Sequence, residues 1–290
     1  MKPTRRSLLS GISAFAVAPG CSGVGGKRHN SRVSETGLDD SGGAFYDTGG
    51  TTDSGAPGPA PVREDEPERL WEPSGEVDLT IFPSGVQVGD VDSTSAVIQV
   101  WMALDDCIFS LARGVGTEWS PLEPVISVSR NGVLGRSIVD GLEPDTAYCV
   151  VAQMDGKRST VSRFRTALAE DGFRQLTLGA TSCLAGNRPW PSLSHVARSR
   201  PDVFFLLGDT VYADGAETLE DYRDHWRRAL TTQGLQDVFK NTSLIATWDD
   251  HEVFNGFAGL SAPEERVEFG KTAFKEALPQ RVGPGGTMWR

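Results

Sequence analysis

Four stretches of different hydrophobic patterning follow one another along the chain. Leu8 to Ala18 is a short apolar run, well below the roughly 20 residues a membrane-spanning helix needs. From Ser22 to about Arg69 apolar residues thin out and Gly, Ser, Asp, Thr and Pro take over, as in Asp47-Thr48-Gly49-Gly50-Thr51-Thr52-Asp53-Ser54-Gly55. Such a composition cannot bury enough apolar surface to offset its ordering entropy, which predicts a flexible linker. From Trp71 to Leu168 short β-rich runs, partly alternating, are divided by Gly, Pro and Asp: Ser95–Trp101, Ile108–Ala112, Val125–Val128 and Cys149–Gln153. That pattern predicts an all-β sandwich of about 95 residues. After Thr166-Ala167 strands and helices alternate, which predicts a parallel α/β sheet. Strands are expected over Arg174–Ala180, Asp202–Leu207 and Ser243–Trp248, and helices over Ser192–Arg200, from Thr218 onward and over Ala262–Leu278. The helix after Thr218 has a Thr cap and lines Leu219, Tyr222, Trp226 and Leu230 along one face. The expected organisation is therefore a leader over 1–21, a linker over 22–70, a β-sandwich over 71–168 and an α/β part over 172–290.

Charge narrows the function classes. With 28 Lys and Arg against 39 Asp and Glu, the net charge of −11 argues against a nucleic-acid binder that works by neutralising phosphates. A phosphate-ester enzyme survives this argument, because bound metal ions supply positive charge locally. Four cysteines, Cys21, Cys107, Cys149 and Cys183, are too few and too scattered to frame a disulfide-built fold. Cys107 and Cys149 either pair or remain two buried thiols.

Arg5-Arg6 directly before the apolar run is a positive n-region followed by an h-region. The paired arginines resemble the signal of the Tat export pathway. Ala18-Pro19-Gly20-Cys21 resembles a bacterial lipobox with Cys21 as the acylated residue, although its proline departs from the usual small residues. Export to the periplasm or cell surface is expected, with the Tat machinery as partner and membrane contact only through a lipid on Cys21. That route carries folded proteins, so a metal could be inserted first and a thiolate ligand would arrive already coordinated.

Candidate chemistry gathers at the ends of the three α/β strands. The first runs into Thr181-Ser182-Cys183, the second into Asp209 and Tyr212, the third into Asp249, Asp250 and His251. Open α/β sheets place their ligands at the carboxyl ends of the strands. Several carboxylates, a thiol, a phenol and an imidazole brought together there repel or compete unless a cation holds them. Taken singly, Cys183 reads as a small core residue, Tyr212 as packing and Asp249-Asp250 as solvated charge; their common location makes a metal site the stronger reading. His195 and His225 read as helix-surface or packing residues and His29 as linker. Asp214 and Asn255 are polar loop residues near the motifs, without an assigned role.

Gly208-Asp209-x-x-Tyr212 and Trp248-Asp249-Asp250-His251-Glu252-Val253, preceded by Thr181-Ser182-Cys183, resemble the PhoD-like alkaline phosphatases, a branch of the calcineurin-like metallophosphoesterases. Phe82-Pro83-Ser84-Gly85-Val86 and Arg163-Phe164-Arg165-Thr166-Ala167 resemble the ends of that family's amino-terminal domain. Gly141-Leu142-Glu143-Pro144-Asp145-Thr146-Ala147-Tyr148 resembles the corner of fibronectin type III domains. The resemblance implies a fold of two domains, β plus α/β. An immunoglobulin- or fibronectin-III-like sandwich would precede the first half of a metallophosphoesterase α/β sandwich. It implies hydrolysis of phosphate mono- and diesters at a centre of Fe3+ and Ca2+. Asp209 would bridge the two ions, Cys183 and Tyr212 would bind iron, and Asp250 would stand where the family has a metal-binding Asn. Asp249 would be a ligand or orient one, and His251 would contact the phosphoryl group or the leaving oxygen.

The family pattern continues beyond Arg290 with a segment carrying further Asp and His ligands. The expectation is that the chain looks like an amino-terminal fragment, with one apolar sheet face uncovered, weak metal retention and little activity alone. The competing reading is a surface lipoprotein that binds through its fibronectin-like part and carries a decayed phosphatase part.

Overall fold

The computed structural model describes residues 12–17, 66–102, 106–186, 189–258 and 263–283. Arg5, Arg6, Cys21 and nearly all of the expected linker lie outside the described residues. The first strand, β1 (Ile12–Val17), falls in the apolar run of the leader. Ten short strands follow: β2 (Glu76–Val77), β3 (Val86–Gly89), β4 (Ser95–Trp101), β5 (Asp106–Val115), β6 (Glu118–Pro121), β7 (Ile126–Asn131), β8 (Leu134–Asp140), β9 (Ala147–Met154), β10 (Lys157–Arg158) and β11 (Ser162–Arg165). Then strands and helices alternate: β12 (Leu176–Thr181), α1 (Pro191–Arg198), β13 (Val203–Leu207), α2 (Leu219–Leu230), α3 (Gln233–Asn241), β14 (Ser243–Thr247) and α4 (Glu264–Ala277). The result is a mostly β structure with a mixed sheet and, among the described residues, four helices.

Strands β3, β4 and β8 form one antiparallel layer, and β5 and β9 with β6 and β11 form another. Strand β7 pairs with both β5 and β8 and so joins them. Between the layers Phe82, Ile98, Val100, Phe109, Leu111, Val150 and Phe164 make one buried cluster. Tyr148 closes its end. The ring stacks on Phe164 at 5.5 Å and the hydroxyl accepts the Glu143 N–H at 2.8 Å, the hydrogen-bonding geometry of a tyrosine corner. Glu66 and Pro67, which composition assigns to the linker, pack here, while residues 68–70 are exposed. Glu66 and Arg163 form a buried ion pair at 2.9 Å, and Trp119 donates its indole N–H to the Arg69 carbonyl at 2.6 Å. One charged pair anchors a segment whose composition reads as unstructured.

Cys107 and Cys149 are both buried and free, which excludes the disulfide left open by the sequence. Cys149 lies opposite Ala112 in the β5–β9 ladder, five residues along β5 from Cys107. At about 3.4 Å per residue that is roughly 17 Å, far beyond the ~7 Å limit between bridged Cα atoms.

Strands β12, β13 and β14 are parallel neighbours in the order β1-β12-β13-β14-β3. Strand β3 continues the sheet into the sandwich through the Leu244–Gly89 pair. Alternation along β13 and β14 sends Phe204, Leu206 and Leu244 into a second cluster with Leu193, Tyr222, Trp226, Leu235, Phe239 and Phe274 from the helices. The opposite face carries Leu207 and Ile245, about half exposed, beside Val203 and Phe205.

Helix α2 starts at a capping box: Thr218 Oγ1 accepts the Asp221 N–H, and the Asp221 carboxylate accepts the Thr218 N–H at 2.9 Å. Helix α3 is not anticipated by the pattern. It is short, begins without a side-chain cap and contains Gly234, yet Leu235, Val238 and Phe239 bury together. Helix α4 packs against the outer side of β4. Gln99 and Trp101 donate to the Glu276 carbonyl, and Arg136 of β8 donates to Gln99 Oε1 and to the Lys275 and Leu278 carbonyls. These donors satisfy the last carbonyls of α4, which have no partner inside the helix.

Candidate metal centre

The three parallel strands end side by side, and the loops that follow them are knitted together through their backbones. Cys183 N–H donates to the Gly208 carbonyl at 3.3 Å and Leu184 N–H to the Asp209 carbonyl at 2.8 Å, joining the first loop to the second. Ala213 N–H donates to the His251 carbonyl at 2.9 Å, joining the second to the third. Such close approach demands unusual backbone. Cys183 and Asp209 have positive φ, 55° and 53°, and Gly208 sits at 92°. A side chain on Gly208 would place Cβ 2.7 Å from Asp249 Cβ. Non-glycine residues in the left-handed region cost energy and persist only where surrounding contacts fix them. Strain of this kind concentrates at functional sites.

On this frame one ligand atom each from Asp209, Asp250 and His251 falls within 4.8 Å of the others. Asp209 is buried, and its Oδ1 has no hydrogen-bond partner. Its Oδ2 has Cys183 Sγ at 3.6 Å and the Tyr212 hydroxyl at 3.5 Å. Burial raises the Asp209 carboxyl above its ordinary value against the opposing pull of His251 and Cys183, and the Asp250 charge adds to the rise. The Tyr212 ring lies over the His251 imidazole, with centroids 4.0 Å apart and planes inclined by 31°.

His251 is held from behind. Its Nδ1 is 2.8 Å from Asp214 Oδ1, an oxygen that also accepts the Asn255 N–H at 2.6 Å. Burial disfavours the imidazolium, but Asp214, Asp209 and Asp250 outweigh burial, so the His251 pKa lies above the ordinary histidine value. Asp250 accepts the Gly256 N–H. Asp249 is exposed and, like Cys183, is not among the three residues whose ligand atoms lie within 4.8 Å of one another. His195 and His225 lie on helices α1 and α2 and are not members of the cluster.

The donor set fits a cation. A buried carboxylate oxygen without a partner, a second carboxylate, an imidazole, and a thiol and phenol within 3.6 Å of the same carboxylate match metal coordination better than an ordinary polar network.

Two residues that shape the site carry no role in the sequence reading. Asp214 stands five residues after Asp209, and only the fold turns it toward His251. Glu252 is fully buried, and its carboxylate accepts backbone N–H groups from both acidic motifs. Its sequence signal was weak: an acid inside a charged run, followed by the apolar Val253.

Residues 178–287 match the family model described as PhoD-like phosphatase. This region is similar to a PhoD-like phosphatase domain. Across the chain, alkaline phosphatase D of Bacillus subtilis (strain 168) is 27% identical over 256 residues, covering 72% of this chain and 44% of that protein. A solved structure of PhoD superposes with a TM-score of 0.66 at 21% identity, covering 72% of this chain and 49% of that one. At that identity the superposition speaks for a common fold. The chain spans about half the length of the relatives it matches.

Proposed function

We propose that this PhoD-like chain contributes the metal site of an exported phosphoesterase acting on phosphate mono- and diesters. The observation that carries the proposal is the convergence of Asp209, Asp250 and His251 at the strand ends of a PhoD-like domain, with an unpartnered buried oxygen on Asp209. We read the chain as two domains, a fibronectin-III-like sandwich over 71–168 and a partial metallophosphoesterase domain over 172–290.

Cys183, Asp209 and Tyr212 would hold iron, Asp209 would also reach calcium, and Asp250 would add a further carboxylate, with Asp249 available to orient a ligand or water from the rim. When bound, the ions supply an activated hydroxide or oxide and offset the negative charge that grows on phosphorus. The chain's own residues do the rest. Asp214 is an acceptor when ionised, so the His251 Nδ1 proton is held in that hydrogen bond. Nε2 is then the nitrogen left for a phosphoryl or leaving-group oxygen. Tyr212, lying over the imidazole at 4.0 Å, restricts its rotation. The intact acidic cluster favours this reading over a non-enzymatic surface lipoprotein.

The test is binding of calcium and iron to the purified chain, together with hydrolysis of a chromogenic phosphomonoester and a diester. Asp209→Asn should lose both metals, because one carboxylate serves both, and any hydrolysis should disappear with it. Equal metal content and equal rates in wild type and Asp209→Asn would remove the proposal.

A further inference from the structure

The two acidic motifs are 40 residues apart, counting from Asp209 to Asp249. Between their loops lies Glu252, with no exposed surface. Its Oε2 accepts the Asp209 N–H at 3.0 Å and the Asp249 N–H at 2.9 Å, and its Oε1 accepts the Thr210 N–H at 2.6 Å. No cationic side chain contacts this carboxylate among the bonds and ion pairs of the described residues. A buried anion is normally retained only when its lone pairs are satisfied; here backbone donors from two loops satisfy them.

The placement of those donors matters for the cluster. Asp209 and Asp249 are the first acids of their respective motifs, and the Asp209 N–H is oriented by a left-handed backbone at φ 53°. A bond to that N–H therefore fixes the conformation from which the Asp209 side chain departs. Holding Asp249 N–H with the same oxygen sets the distance between the second loop and the third. Tyr222 of α2 anchors the third loop from below, donating its hydroxyl to the Val253 carbonyl at 2.8 Å.

We infer that Glu252 is the positioning residue of the candidate metal centre: without ligating, it clasps the two acidic loops and sets the spacing at which Asp209 and Asp250 meet a metal. The inference rests on the metal-site reading for its consequence, but the clasp itself is a matter of backbone geometry. Gln is the informative replacement, being nearly isosteric. Three N–H groups converge on two oxygens, and an amide offers one oxygen and sets its own N–H2 against a backbone donor. Glu252→Asp keeps both oxygens on a stem one methylene shorter, so it should hold some of the three donors.

The full chain is loaded with Co2+ as probe, and affinity and the visible absorption of the bound ion are recorded. Amide hydrogen exchange is followed residue by residue by NMR on the same samples. Glu252→Gln should weaken Co2+ binding by about 10–100-fold, the usual effect of removing an outer partner of metal ligands, and should change the absorption band. The Asp209, Thr210 and Asp249 amides should lose protection, while those of β4 and β9 keep theirs. Glu252→Asp should fall between. A Glu252→Gln protein that binds Co2+ within about twofold of wild type, with an unchanged band and unchanged exchange, overturns the inference. If that variant does not fold, Glu252→Asp decides it: a displaced band and faster exchange at these three amides support the clasp, and wild-type behaviour refutes it. If the wild type binds no Co2+, the metal-site reading fails, and the exchange of the three amides decides the clasp alone.

Discussion

Replacing Gly208 with Ala tests how tightly the second and third loops are pressed together. The residue sits at φ 92°, and an added Cβ would meet Asp249 Cβ at 2.7 Å and Asp249 N at 2.9 Å. The left-handed backbone alone costs an L-residue roughly 1–2 kcal/mol. The contact is with backbone and Cβ, which cannot swing aside, and relieving it by moving the loop adds about 1–3 kcal/mol. The expected loss is thus about 2–5 kcal/mol, a large share of the roughly 5–15 kcal/mol typical of a folded protein. Gly116→Ala separates the two contributions, since Gly116 lies at φ 59° with nothing within 4 Å of an added Cβ. That variant should lose only about 1–2 kcal/mol. Urea unfolding followed by tryptophan emission suits the assay, because Trp101, Trp190 and Trp226 lie in the cluster beneath the loops. Gly208→Ala should also weaken Co2+ binding, since moving Asp249 displaces the loop that carries Asp250 and His251. A Gly208→Ala protein as stable as Gly116→Ala, with unchanged Co2+ affinity, would refute the argument for loop contact.

Burial pushes the Cys107 thiol up to about 11 and the Cys149 thiol up to about 12. Both should resist alkylation at pH 8 in the native protein, with Cys183 the more accessible thiol among the described residues, and mass mapping of labelled peptides reads this directly. Because both folded-state values exceed the ordinary thiol value of 9.0, the stability they confer is complete below pH 9. It is lost as pH rises through the two folded values. Urea midpoints that stay level across that range would contradict the burial of these groups. For export, replacing Arg5 and Arg6 with lysine should trap the precursor in the cytoplasm, and the mass of the mature amino terminus should show a lipid on Cys21. Undiminished export of the double variant would remove the Tat proposal.

The elements were largely legible because their signals are local. The β-rich runs, the Thr218 capping box, the Leu-x-Pro-x-Thr-x-Tyr turn and the apolar β13 each announce themselves within a few residues. Helix α3 did not, since Gly234 and a missing cap weaken a nine-residue signal that only packing against its neighbours makes good. Glu66 is a further case, since its buried pair with Arg163 has no signal in a linker-like composition.

For the site, residue types and strand-end positions determined which groups gather: Cys183, Asp209, Tyr212, Asp250 and His251. Only the tertiary structure decided how they stand to one another. It left Asp249 exposed, paired His251 with Asp214, and drew three backbone N–H groups from two loops onto Glu252. It also settled that Cys107 and Cys149 lie apart on neighbouring strands. The division has a physical reason. Patterning records which side a residue faces, whereas distances between loops depend on strand register, on left-handed turns at Gly208 and Asp209, and on backbone donors that no side-chain sequence encodes.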